Sequence, residues 1–232
     1  MNHSRKQQFE RRKQQILQTA EQLLLDSGNY DLTLDNLAQH LDLAKGTLYK
    51  HFASKDELLM YILIDYEKRM YAVNAIDDGA AAGVARMVLQ QLFRPQRAMM
   101  FNHLEEKLAS TASGLNRLFA ELYQVRRKRM KRISAIAEVY LQEQNSTMST
   151  RDYLAAIWAV GQGGAGLLNS SFYQRYLGRR DTLKYALVHQ MLSLPKMYVD
   201  ETKSVETTQD LRPPKTHISQ PKLIKPLLPP LL

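Results

Sequence analysis

The sequence predicts an all-α chain of about nine helices. Apolar residues recur at helical spacing almost throughout, alternating β-branched strand runs are absent, and glycine and proline fall between helical periods. Residues 5–27 read as a first helix: Phe9, Leu17, Ala20 and Leu24 lie close to one face, Ile16 and Leu23 widen it, and Gly28 is the stop signal. Thr33 opens a short helix over 34–41, and another spans 45–51. Ser54-Lys55-Asp56-Glu57 is a capping box, in which the serine caps and the glutamate returns the bond; it launches a helix to about residue 75. After Asp77-Asp78-Gly79, helical patterns cover 80–93, 96–111, 115–143, 150–172 and 181–194, and Pro195 closes the series. From Lys196 the composition changes: six of the eight prolines lie in 213–230, among Ser, Thr and Lys, as in a flexible or polyproline-type tail.

With 232 residues, 44% of them hydrophobic, the chain can form one or two domains around a sizeable core. The lack of cysteine excludes a disulfide framework, a thiolate nucleophile and cysteine-ligated zinc or iron–sulfur sites. No apolar run reaches the roughly 20 residues of a membrane helix, so no membrane partner is expected. The N-terminus MNHSRKQQFERRK has no apolar stretch behind its charges, and a cytoplasmic protein is expected. The net charge of +9 suggests an anionic partner, yet it is unevenly placed. Residues 1–70 hold 10 basic and 10 acidic side chains, 71–195 hold 16 against 9, and the rest 6 against 4. Within the first block, residues 1–13 carry Arg5, Lys6, Arg11, Arg12 and Lys13 against Glu10.

The segment TLDNLAQHLDLAKGTLYKHFASKDELL, 33–59, carries most of the functional information. Two short helices are joined by Leu41 to Ala44. Leu37, Ala38, Leu41 and Leu43 supply a small apolar face, which Leu48 and Phe52 complete from the second helix. This is a helix-turn-helix. Its second helix displays Lys45, Thr47, Tyr49, Lys50 and His51, donors and apolar contacts suited to phosphates and base edges in a major groove. Gly46 costs helix stability, which a closely approaching backbone would explain. Lys55 opposes the dipole of the helix it begins, and a phosphate bound there satisfies both the lysine and the free amides.

With Gly28-Asn29-Tyr30, Thr33 at the start of the second helix and KGTLYKHFASKDELL at Lys45–Leu59, the segment resembles the DNA-binding domain of the TetR/AcrR family of bacterial one-component repressors. Two positions depart from the family pattern: Asp42 stands where the turn usually has glycine, and Ala44 where a serine usually precedes the recognition lysine. The resemblance implies a DNA-binding domain over 1–54, with contacts from Thr33, Lys45, Gly46, Thr47, Tyr49, Lys50, His51 and Lys55. It also implies an effector-binding and dimerisation domain over 55–195, ahead of the tail 196–232, and dimers that bind double-stranded DNA at a pseudo-palindromic operator. A small-molecule effector then changes the separation of the two reading heads.

In the larger domain, the 115–143 helix is apolar over nearly half its circumference. Leu115, Leu118, Leu122, Val125, Ile133, Ile136 and Tyr140 form one arc; Phe119, Tyr123, Met130, Ala137 and Leu141 form the next. Through it runs RRKRMKR, 126–132, most of it expected to face solvent. Arg129, however, falls at the centre of the first arc and Arg126 between the two. A buried guanidinium needs a partner: a structural pair with Glu105 or Glu106, or an anionic group of the effector. Phe119, Tyr123 and Trp158 are candidate effector-cavity aromatics. Leu154, Trp158, Gly161, Ala165, Leu168 and Phe172 form an inter-helix seam, while GQGGAG at 161–166 lacks the preceding strand of a nucleotide-binding loop. By the resemblance, 150–172 and 181–194 from each subunit make a four-helix homodimer interface.

His103 and Glu106 lack an evident third ligand, so no metal site and no cofactor are assigned. No catalytic constellation is visible. The leading reading is a sequence-specific regulator, a dimeric repressor associated with the bacterial nucleoid and released by an anionic or amphipathic effector. The alternatives are an architectural DNA-binding protein without effector, and an all-helical ligand-binding protein or enzyme with a degenerate helix-turn-helix.

Overall fold

A computed structural model describes residues 2–27, 31–111, 114–176 and 178–198. Gly28-Asn29-Tyr30 and nearly all of the proline-rich tail lie outside these residues. The described residues form ten α-helices and a 3-10 turn, without strands: α1 (Asn2–Asp26), α2 (Leu34–His40), α3 (Lys45–Tyr49), α4 (Lys55–Val73), α5 (Ala80–Leu92), α6 (Pro95–Thr111), α7 (Asn116–Glu143), α8 (Thr150–Asn169), α9 (Ser171–Tyr176), α10 (Arg180–Ser193) and a turn at Leu194–Met197. The all-α expectation holds, with two local corrections. The helix expected over 150–172 breaks at Ser170, whose extended backbone (ψ 125°) ends α8 and whose hydroxyl accepts from Tyr173 N–H to start α9. The expected 45–51 helix stops at Tyr49, because His51 and Phe52 N–H both turn back to the Leu48 carbonyl.

Side chains pack into two apolar clusters. The first joins Ile16, Leu17, Ala20 and Leu24 of α1 to Leu37, Leu48 and Phe52. It continues without a break through Leu58–Ile64 of α4 into Met100–Leu108 of α6 and Leu118 and Leu122 of α7. The second joins α5, α8 and α10 to Ile133, Ala137, Tyr140 and Leu141 of α7. Helices α5 and α8 approach closely where glycine allows it: a Cβ on Gly164 would meet Leu187 Cδ1 at 2.5 Å and Leu92 Cδ2 at 2.7 Å. The 161–166 glycines are therefore in part packing residues. Of the expected seam, Leu154, Gly161, Ala165 and Leu168 are buried within the chain, whereas Trp158 and Phe172 are exposed. Helix α7 runs through both clusters, and Arg126 and Arg129 sit where one gives way to the other.

Two connections are held by residues with left-handed backbone. Asp42 (φ 49°) follows α2, and Leu43 N–H bonds to the Ala38 carbonyl at 2.9 Å while Asp42 N–H bonds to Gln39 at 3.2 Å. This pair of bonds is the Schellman ending, which favours glycine at the position Asp42 holds. Asn145 (φ 52°) ends α7 with the same pair of bonds. Asp and Asn enter this region at less cost than other L-residues, whereas a branched side chain there costs about 1–2 kcal/mol. Asp42→Val is therefore expected to lower stability by about that amount, while Asp42→Gly leaves it unchanged or raises it, as read by urea unfolding.

Candidate nucleic-acid interface and ligand cavity

The head is built by capping. Thr33 Oγ1 accepts from Asn36 N–H at 3.1 Å to start α2, and Ser54 Oγ accepts from Glu57 N–H at 3.1 Å to start α4. The Glu57 carboxylate returns its bond to Ala53 N–H, one residue earlier than the capping-box pattern implies. Ala44 precedes α3 with no side-chain cap.

The expected DNA-binding residues divide by surroundings. Lys45, Gly46, Tyr49 and Lys50 are exposed, Tyr49 by 52% although it is a large aromatic, and Thr47 is half-buried. Lys45 forms an exposed ion pair with Asp35. Lys55 Nζ donates to Asp31 Oδ1 at 2.7 Å, and that bond foremost holds the Asp31 carboxyl below its usual pKa. Both lysines are thus positioned by carboxylates. Thr33 serves as a helix cap, with its oxygen already engaged.

His51 departs from its expected role. Its ring stacks on Phe9 at 4.1 Å, and its Nδ1 is buried without a hydrogen-bond partner. Burial, followed by the nearby cations Lys13 and Arg12, holds its pKa below 6.5. At neutral pH it is an uncharged packing group. Phe9, expected on the core face of α1, instead covers His51 and is 44% exposed. Lys13 lies 3.5 Å from the Tyr61 ring centroid, a cation–π contact that ties the basic first half of α1 to α4.

At the junction of the two clusters lies a cavity of about 380 Å³ between α4, α5, α6, α7 and α8. Arg126, Arg129 and Trp158 line it. Phe119 and Tyr123 lie outside it: Phe119 packs against the first cluster, and Tyr123 is 67% exposed because its arc of α7 turns to solvent at that point. The cavity's charged wall centres on Glu67, 3% exposed, which the sequence reading missed. Arg129 Nε approaches Glu67 Oε2 at 2.7 Å, and Arg126 Nη2 donates to Glu67 Oε1 at 3.0 Å. Arg126 also pairs with Glu105. Arginine pairing was anticipated, but Arg129 takes Glu67 and leaves Glu105 to Arg126. Opposite, Tyr66 stacks on Phe101 at 3.8 Å, and Gln90, Gln91, Asn102 and Gln162 add amide groups.

The basic run resolves by threes. Arg126, Arg129 and Arg132 lie on one side of α7, and Arg132 donates to the Asn74 and Ala75 carbonyls at 2.9 and 3.0 Å, capping the end of α4. Arg127, Lys128 and Lys131 are exposed. The spacing 126/129/132 was a legible signal for Arg132; Glu67 carried none, being one acidic residue among polar neighbours. Among the described residues, no group of three His, Cys, Asp or Glu side chains converges as a metal site, and no helix is long and apolar enough to cross a membrane.

Residues 16–62 match the family model described as bacterial regulatory proteins, tetR family. No curated protein gives a significant match to the chain.

A Cβ on Gly46 would meet nothing within 4 Å. Gly46→Ala is therefore expected to stabilise the head by up to about 1 kcal/mol yet weaken DNA binding, because the methyl group occupies the space a phosphate backbone needs. Thermal unfolding and fluorescence anisotropy with duplex DNA check the two opposite signs.

Proposed function

We propose that this chain, a tetR-family regulator with a helix-turn-helix DNA-binding head, acts in the bacterial cytoplasm as a homodimeric repressor released from a pseudo-palindromic operator by a small effector. The supporting observation is α3. It is held at its base by Leu48 and Phe52, and it leaves Lys45, Thr47, Tyr49 and Lys50 available beside Lys55 at the start of α4. Its span falls inside the matched segment 16–62. Lys55 and Tyr49 take phosphates, and Lys45 and Thr47 read base edges.

The dimer face follows from what the chain leaves uncovered. Gly161, Ala165 and Leu168 of the seam pack internally, but the next face of α8 exposes Ala155, Ala159, Gly163 and Leu167, each four residues apart. Phe172 and Tyr176 of α9 and Tyr185 of α10 are 61%, 66% and 75% exposed. Small residues in register, flanked by aromatics, suit helix-on-helix pairing with a second copy.

The effector fills the cavity between the clusters. Its two arginines are matched by Glu67 and Glu105, so the site offers no excess positive charge to a plain anion. It suits an amphipathic molecule whose aromatic part lies near Trp158, Tyr66 and Phe101. An acidic end of such a molecule competes with Glu105, whose side chain is 38% exposed, for Arg126. An architectural DNA-binding protein would need no such cavity.

Selection of bound duplexes from random DNA tests the reading. An inverted repeat bound by two chains is expected. Tyr49→Ala and Lys55→Ala weaken binding to all sequences alike, while Lys45→Ala and Thr47→Ala lose about 1–3 kcal/mol at particular base pairs. Leu167→Glu yields a monomer by light scattering and loses the symmetric footprint. Binding without sequence preference overturns the proposal in favour of the architectural reading.

A further inference from the structure

A second cleft, of about 430 Å³, lies between α1, the α5–α6 turn, the end of α8 and the start of α10. It is separate from the cavity around Glu67. Four cations line it: Arg94 from the α5–α6 turn, Arg97 from the first turn of α6, and Arg180 and Lys184 from α10. Against them stand Asp181, with a 78% exposed side chain, and Glu21, behind Arg97 at 2.9 Å. Two positive charges are left uncompensated.

Arg97 is paired with Glu21, and Lys184 with Asp181 at 3.2 Å, and the cleft's cations have further contacts besides. Arg180 Nη2 donates to the Leu168 carbonyl at 2.6 Å, the last turn of α8. Lys184 sits 5.5 Å over the Phe93 ring with its side chain only 20% exposed. Among the described residues, the Arg94 guanidinium has no carboxylate partner. Burial foremost, and then the cations Arg69 and Arg94, push the pKa of Arg97 down against the pull of Glu21. Like charges gathered from separate segments repel one another, and an anion between them removes that cost.

We infer that this cleft binds a small phosphorylated molecule, whose two or more negative charges bridge Arg94 and Arg97 to Arg180 and Lys184. Guanidinium forks match phosphate oxygens in pairs, and the cleft has room beyond the phosphate itself. Because Gln22 and Leu25 of α1 form one wall, the ligand touches the DNA-binding head and the larger domain together.

Isothermal titration of the full chain with inorganic pyrophosphate tests the inference. Saturable binding is expected, weakened about tenfold or more in Arg94→Ala/Lys184→Ala and tightened in Asp181→Asn. Arg127→Ala/Lys128→Ala removes the same charge from the exposed side of α7 and should leave it unchanged. Absence of binding, or equal weakening in both double variants, overturns the site. Mixed-sequence duplex DNA separates the two sources of phosphate. If the duplex displaces pyrophosphate and the Arg94→Ala/Lys184→Ala variant loses duplex affinity, the cleft belongs to the DNA backbone and the small-molecule assignment fails.

Discussion

Glu67 is almost wholly excluded from solvent, and the arginine pairing that satisfies it ties the central helices together. An isolated carboxylate so deeply covered is costly, and pairing repays the cost only when the geometry is good. Arg126 and Arg129, one turn apart on α7, both reach it, and Arg126 is anchored in turn by Glu105 of α6. Three helices therefore meet at one carboxylate. Removing one partner of a buried pair typically costs about 3–5 kcal/mol. The arginines here are 28% and 15% exposed, which places Glu67 toward the lower end. The cavity lies beside this pairing, where the two apolar clusters meet.

Helix α4 extends that constraint to the head. Its first turn is capped by Ser54 immediately after the recognition segment, its middle supplies Leu58–Ile64 to the core of the head, and its last turns bring Glu67, Met70 and Asn74 to the cavity. The last carbonyls are capped by Arg132. One rigid element thus touches both the cavity and the frame of α3. Glu21 of α1 makes a parallel link, paired at 2.6 Å with Arg69 of α4 and at 2.9 Å with Arg97 of α6. Arg126, in the cavity wall, thus bears through Glu67 on the same helix that frames α3.

Much of the head was legible in the sequence because its signals are local. The Thr33 and Ser54 caps, the apolar spacing of 37–52 and the turn at Asp42 all act within a few residues. The larger domain was legible as helices and as an anomaly: Arg129 stood in an apolar arc and had to be paired. Its partner was not legible, since Glu67 lies 62 positions away and only packing brings the two together. Phe9 was misplaced for the same reason: it stacks on His51, just after α3, in a contact between separate segments. The seam on α8 was legible in part: Leu154, Gly161, Ala165 and Leu168 are buried within the chain, while Trp158 and Phe172 are exposed. Periodicity shows which face is covered, not whether the cover comes from α5 and α10 or from a second chain. The net charge shifted in meaning too: the surplus lies largely in residues that cap α4, hold Glu67 or line the second cleft.

Glu67 couples the cavity wall to the head through α4. Amide hydrogen exchange in Glu67→Gln against the unaltered chain measures it directly. Faster exchange is predicted in α7 around Arg126–Arg129 and, together with it, along α4 into the head helices it packs against. Acceleration confined to α7, with α4 and the head unchanged, would contradict the account.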